Sequence, residues 1–194
     1  MSASIRSFRA VVLALTLAGL GAGCAVNPAT GERQFSLISE RQEVSMGREA
    51  AQQIDRTMAF VDDRELQDYV AGIGRELAAD SERPELPWSF RVVDDPTPNA
   101  FALPGGFIYV TRGMLGLMEN EAELASVLGH EIAHVTARHS VQQMSRAQLA
   151  QLGLGVGMVL APELQQFSDL AGMGLNLLML KYSREAEREA DRLG

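Results

Sequence analysis

The spacing of apolar residues divides this chain into helical stretches on either side of a short alternating segment. Ser39 is placed to cap a helix carrying Val44, Met46, Ala50 and Ile54, and Asp62 or Asp63 to open a second with Leu66, Tyr69, Val70, Ile73 and Leu77. Both are amphipathic and read as scaffold. Between Trp88 and Thr111 the period falls from helical to alternating: Trp88, Phe90 and Val92 interleave with Ser89 and Arg91, as in a half-buried strand. After the turn residues Asp94-Asp95-Pro96-Thr97-Pro98, the runs Ala100-Phe101-Ala102 and Phe107-Ile108-Tyr109-Val110 flank Leu103-Pro104-Gly105-Gly106, a hairpin or bent strand connection. Asn120, with Glu123 three residues later, starts a helix near Glu121 whose buried stripe is Leu124, Leu128, Ile132 and Val135. Ser183 caps a last helix with a narrow stripe of Ala186, Ala190 and Leu193. The predicted fold class is α+β, mainly α, with a small sheet beside the helix that begins at Glu121.

Two further apolar stretches, residues 152–161 and 170–180, are each shorter than the roughly 20 residues a membrane span needs. They read as buried helices, the alternative being a surface that leans on a membrane or partner. The first 23 residues stand apart from the fold. Arg6 and Arg9 precede an uncharged run from Ala10 to Gly23, the layout of a signal peptide, so the chain is expected to be exported. Cys24, the sole cysteine, follows Leu20-Gly21-Ala22-Gly23, which resembles the lipobox of bacterial lipoproteins. That resemblance implies cleavage before Cys24 and lipid on its sulfur, although Gly21 rather than leucine stands three residues before it. The turn formers Asn27-Pro28-Ala29-Thr30-Gly31 extend this to a lipidated tether over residues 24–38, with the folded domain starting near Ser39.

With 194 residues, 46% hydrophobic and 22% charged, the chain suits one domain with a sizeable core. A net charge of -8 without any basic block argues against nucleic-acid binding.

The chemistry concentrates in His130-Glu131-Ile132-Ala133-His134, which matches H-E-x-x-H. Residues four apart on a helix lie one above the other, so both imidazoles can reach one ion while Glu131 takes a proton from water. These are two of the three histidines in the chain. A catalytic zinc takes a third protein ligand and leaves one position open. His139 is nine residues from His130, about 180° around a continuous helix, and cannot share its metal. The places that carry a later glycine and histidine in the longer H-E-x-x-H-x-x-G-x-x-H motif hold Ala137 and Ser140. His139 is instead expected as a charge or hydrogen-bonding group at the helix C-terminus. A glutamate remains, and Glu163, Glu185, Glu187 and Glu189 follow the motif. Glu187 with Asp191 flanks the last helix's apolar stripe on one side, and Glu185 with Glu189 on the other, so periodicity leaves the choice open. At least two of Glu185, Glu187 and Glu189 are expected merely to pair with Arg184, Arg188 and Arg192 on a solvated face.

The H-E-x-x-H helix, the preceding Asn99-Ala100-Phe101-Ala102-Leu103-Pro104-Gly105-Gly106 and the later Glu187-x-x-x-Asp191 together resemble metallopeptidase family forty-eight, which includes the HtpX-type and CaaX prenyl proteases. The segment Asn27 to Gly31 and the run from Ser39 are similar to its bacterial lipoprotein branch, related to the β-barrel assembly-enhancing proteases. The resemblance covers most of residues 24 to 194. It implies a zincin-like metallopeptidase domain over residues 39–194, with one Zn2+ per chain bound by His130, His134 and Glu187. Glu131 is then catalytic, and Asp191 orients a ligand imidazole from behind. The strand Ala100, Phe101 and Ala102 is implied to pair with the backbone of polypeptide substrates. The expected protein is a zinc endopeptidase acting on unfolded or misassembled envelope proteins, anchored by lipid to the outer membrane and facing the periplasm. The alternative is a zinc-retaining chaperone or scaffold for outer-membrane assembly, and either reading allows envelope-assembly partners. Tyr109 and Tyr182 are chemically able to serve as oxyanion donors, although tyrosines in such places are more often core or rim residues. The family's catalytic domains usually continue past the equivalent of Asp191, so the domain is expected to be incomplete at its C-terminus.

Overall fold

The computed structural model describes residues 24–151 and 182–194. Residues 1–23, expected as a signal peptide, and both apolar stretches, 152–161 and 170–180, lie outside the described residues. Among the described residues, no helix is long and apolar enough to cross a membrane.

The architecture is α+β and mainly helical. Two short strands, β1 (Cys24–Val26) and β2 (Arg33–Phe35), pair antiparallel. Helix α1 (Glu40–Thr57) starts at Ser39, whose hydroxyl accepts from the Gln42 amide while the Gln42 side chain accepts from the Ser39 amide, a reciprocal cap. Helix α2 (Arg64–Ala79) is capped by Asp63, whose carboxylate accepts from the Leu66 amide. Then come β3 (Ser89–Val93), β4 (Ala100–Leu103) and β5 (Phe107–Thr111), a single-turn helix α3 (Arg112–Leu115), and helices α4 (Glu121–Thr136), α5 (His139–Gln151) and α6 (Arg184–Leu193).

The three-stranded sheet has the order β3-β5-β4, with β5 parallel to β3 and antiparallel to β4. Alternation along β5 sends its side chains to two faces, and both are covered. Ile108 and Val110 join Phe90, Val92 and Ala102 against Val70 and Ala78 of α2 and Leu124, Leu128, Ile132 and Val135 of α4. Tyr109 joins Val93 and Leu103 against Ala50, Ala51 and Ile54 of α1 and Val141 and Met144 of α5. The β4-β5 turn runs against α1, where a Cβ on Gly47 would lie 1.8 Å from the Pro104 carbonyl oxygen. Gly105 and Gly106 turn the chain there with φ of 77° and 100°, values that L side chains rarely adopt.

Two expectations need correction. Within residues 24–38, expected as a tether, Cys24–Val26 and Arg33–Phe35 pair as the β1-β2 hairpin, and the segment docks onto the helices. The Leu37 amide donates to Ser145 Oγ of α5 at 3.0 Å, and Asn27 reaches α6. The folded part among the described residues therefore begins ahead of Ser39. Nor does the helix carrying the histidine motif run on through His139. It ends at Thr136 with Ala137 as C-cap, Arg138 turns with φ of 59°, and α5 begins at His139. No glycine, asparagine or proline announces that break. Long-range charge pairing holds it instead. Glu43 of α1, 1% exposed, accepts from Arg138 Nε at 2.8 Å and from Arg83 at 2.8 and 3.3 Å. Arg138 also donates to the Ile38 carbonyl, and Arg83 to the Val135 carbonyl at the end of α4. One carboxylate between two guanidiniums, with backbone acceptors taking further N–H groups, is the arrangement that makes buried charge tolerable.

Candidate metal centre

Helix α4 carries the histidine pair. Its first turn is secured by Asn120, which accepts from the Glu123 amide at 3.1 Å, while the Glu123 carboxylate accepts in return from the Asn120 side chain and the Glu119 amide. Leu124, Leu128 and Ile132 then anchor one face of α4 against the sheet. One turn apart on the neighbouring face, His130 and His134 bring their Nε2 atoms to 3.0 Å.

Helix α6 lies against α4 and closes the site. Ser183 caps it by accepting from the Ala186 amide, and Ala190 is fully buried in the contact. Glu187 Oε2 is thereby 3.4 Å from His130 Nε2 and 3.8 Å from His134 Nε2. Four residues on, Asp191 Oδ1 stands 3.0 Å from His130 Nδ1, the nitrogen turned away from the cluster. Among the described residues His130, His134 and Glu187 are the one group able to hold a metal, with ligand atoms all within 4.8 Å of one another. Donors about 2.0–2.1 Å from a tetrahedral zinc would be separated by about 3.3 Å, and the separations here bracket that length. The residues fit the ion.

Electrostatics support the same reading. Burial lowers the pKa of His134 to about 3, with His139 and His130 adding to the effect, so its imidazole is neutral and keeps a free lone pair at physiological pH. Burial, and then the charge of Glu187, raise the pKa of Glu131 to about 8. A cation held by the three donors would offset both causes and favour the carboxylate that can act as a base. His134 and Glu131 are buried, whereas the Glu187 and Asp191 side chains are 46% and 68% exposed, so the cluster opens to solvent on the α6 side.

The three glutamates of α6 have separate surroundings. Glu187 faces the histidine pair, Glu189 faces His139 with Oε2 3.7 Å from Nε2, and Glu185 is exposed. Among the described residues none of them pairs with Arg184, Arg188 or Arg192, contrary to the expected solvated face. His139 is buried and not at a helix C-terminus: the break at Arg138 returns it to His134, with the two Nδ1 atoms 2.9 Å apart. It faces the nitrogen of His134 that points away from the cluster, so it does not join the donor set, though for a different reason from helical rotation. The place of His139 beside His134 was not legible, because periodicity assumed an unbroken helix, and Glu189, one of the glutamates left open as a ligand, faces His139 instead of the donor set.

Of the two tyrosines, Tyr109 is core, stacked on Phe101 with ring centroids 5.0 Å apart. Tyr182 stacks on the His134 ring at 4.0 Å, and its hydroxyl is 2.7 Å from Ser140 Oγ. Strand β4 borders α4 and is an edge of the sheet. The Thr111 amide donates to the Asn99 carbonyl, so alternation turns the backbone of Asn99 and Phe101 toward β5 and that of Ala100 and Ala102 outward. Cys24 is in β1, at the start of the docked hairpin.

Comparison with known proteins gives a consistent picture. The profile of peptidase family M48 matches residues 64–194. The chain is similar to the mitochondrial metalloendopeptidase OMA1 of Schizosaccharomyces pombe, 34% identical over 86% of this chain and 50% of that protein. It is also similar to the β-barrel assembly-enhancing protease of Escherichia coli, 30% identical over 86% of this chain and 36% of that one. A putative β-barrel assembly-enhancing protease of Vibrio cholerae is 31% identical with the same coverage. The chain thus spans half or less of the length of these relatives.

Proposed function

The chain belongs to peptidase family M48, and from that membership we propose that it is a zinc-dependent endopeptidase of protein quality control, with its machinery on α4, α6 and β4. The observation that carries this reading is the convergence of His130, His134 and Glu187, with Glu131 buried beside them. In it His130, His134 and Glu187 hold one zinc, and Asp191 fixes the His130 ring through Nδ1. When bound, zinc supplies Lewis acidity, lowering the pKa of a bound water to about 7 and polarising the scissile carbonyl. Glu131 accepts a proton from the attacking water and delivers it to the leaving amine. The outward N–H and C=O groups of Ala100 and Ala102, with Phe101 between them, hold the substrate backbone extended along the open edge of β4.

The proposed setting is the bacterial cell envelope. Residues 1–23 direct export, Cys24 carries lipid, and the domain faces the periplasm from the outer membrane. Substrates are then unfolded or misassembled envelope polypeptides, a class brought to this chain from relatives named for β-barrel assembly. Glu131→Gln tests the mechanism, since it should keep zinc at parent stoichiometry while cleavage of unfolded casein falls at least a hundredfold. Casein cleavage at the parent rate would remove Glu131 from the chemistry. If neither parent nor variant cleaves, yet both restore envelope assembly in cells, the zinc-retaining scaffold is the correct reading.

A further inference from the structure

Behind His134 three side chains, buried His139, half-buried Glu189 and buried Asn27, form a line that ends in the N-terminal hairpin. We propose that His139, Glu189 and Asn27 are positioning residues that hold the His134 ring for metal, so that docking of the β1-β2 hairpin sets the affinity of the site. This rests on the zinc reading above.

The tautomers follow from the geometry. His134 Nε2 faces His130 Nε2 and Glu187 Oε2, so its metal-binding lone pair is on Nε2 and its proton on Nδ1. That proton meets His139 Nδ1 at 2.9 Å, which must accept it. The proton of His139 is then on Nε2, a buried atom without a hydrogen-bond partner among the described residues. Glu189 Oε2 lies 3.7 Å ahead of it, close enough for a small side-chain adjustment to complete the bond. The other oxygen of Glu189 accepts from Asn27 Nδ2 at 3.1 Å. Asn27 is itself fixed in place: its Oδ1 accepts from the Ala29 amide at 2.9 Å, and its backbone bonds to Glu32 and Gly31 to close the hairpin turn. Tyr182 covers the flat face of the His134 ring, leaving that ring little freedom except through this line.

The two imidazoles are therefore supported differently. His130 has a carboxylate directly behind it, in Asp191, on the solvent-facing side of α6. His134 reaches its carboxylate through a second imidazole, and that carboxylate is oriented by a residue 162 positions away in the chain. Such supporting groups hold ring orientation and ligand basicity, and losing one typically weakens metal binding about 10–100-fold. The turn sequence Asn27-Pro28-Ala29-Thr30-Gly31 thereby acquires a role at the metal centre.

Zinc affinity of the full chain, measured by competition with a chromophoric chelator, tests this. His139→Phe keeps a ring but removes the acceptor and should weaken zinc at least tenfold. His139→Asn returns an acceptor oxygen near the place of Nδ1 and should stay within about threefold of the parent. Asn27→Ala should weaken zinc about threefold or more with the helical circular dichroism unchanged. Nitrogen-15 NMR of the zinc-loaded parent gives a readout independent of variants, with His139 expected as the Nε2–H tautomer. Parent affinity in His139→Phe, equal losses in the Phe and Asn variants, or an Nδ1–H tautomer at His139 would each overturn the proposal. A parent chain that binds no zinc would overturn the metal site itself, and the positioning line with it.

Discussion

Three glutamates at alternate positions of α6 meet three environments, and the chemistry of each follows from what it faces. Glu187 Oε2 has two imidazole nitrogens within 3.8 Å, Glu189 accepts from Asn27 and has its other oxygen 3.7 Å from His139 Nε2, and Glu185 is exposed. A carboxylate that completes a donor set cannot be replaced by a methyl group without losing a coordination bond, whereas an exposed one can. Glu187→Ala should lower zinc affinity at least a hundredfold, so that the purified chain holds well under half a zinc per molecule. Glu185→Ala should keep the full stoichiometry, and Glu189→Ala should fall between them because its effect passes through His139. Elemental analysis after dialysis against a weak chelator gives the order directly. Full zinc in Glu187→Ala would transfer the third-ligand role to another group.

At the scale of elements, the parts legible in the sequence are those set by local chemistry. Ser39, Asn120 and Ser183 cap the helices they were expected to cap, Asp63 is the one of the two candidate aspartates that caps α2, and the alternation of Phe90 and Val92 did mark a strand. The histidine pair and its helix were equally readable, because spacing four and a capping residue are local facts. What escaped is set by contacts distant in sequence. Arg138 takes φ of 59° because Glu43, 95 positions earlier, holds its guanidinium, and nothing between Thr136 and His139 signals it. The segment after Cys24 looked like a tether because its turn residues are also loop residues, and its anchors, Glu189 and Ser145, lie on the far side of the motif. Sheet order was likewise beyond reach, since β5 inserts between β3 and β4 through a parallel pairing that no turn sequence announces. That insertion leaves β4 at the edge, with a testable consequence. Ala100→Pro and Ala102→Pro each delete one outward N–H while sparing the Phe101 bonds to β5, and edge positions accept proline. At least one of them should raise KM for an unfolded polypeptide about tenfold with zinc content unchanged. Parent KM in both variants would assign substrate docking to a surface other than β4.

For the molecule as a whole, the docked hairpin changes what a lipid on Cys24 would do. Asn27 is buried against α6, and three residues of fully extended chain span at most about 10 Å, so an anchor at Cys24 leaves almost no free tether. The exposed apolar side chains Val26, Phe35 and Leu37 lie along the same short segment, adding surface that tolerates contact with lipid. A domain held this closely meets membrane-proximal polypeptides at high effective concentration, while its chemistry on a freely diffusing substrate is independent of the anchor. Cys24→Ser should therefore move the protein from the membrane fraction to the soluble fraction of cells. Its cleavage of soluble casein should stay within about twofold of the parent, and its turnover of an unfolded outer-membrane protein in intact cells should drop at least fivefold. Fractionation with the membrane at parent levels would show that something other than Cys24 anchors the chain. A variant that is released yet clears the membrane substrate at the parent rate would show that proximity to the bilayer does not select the substrate.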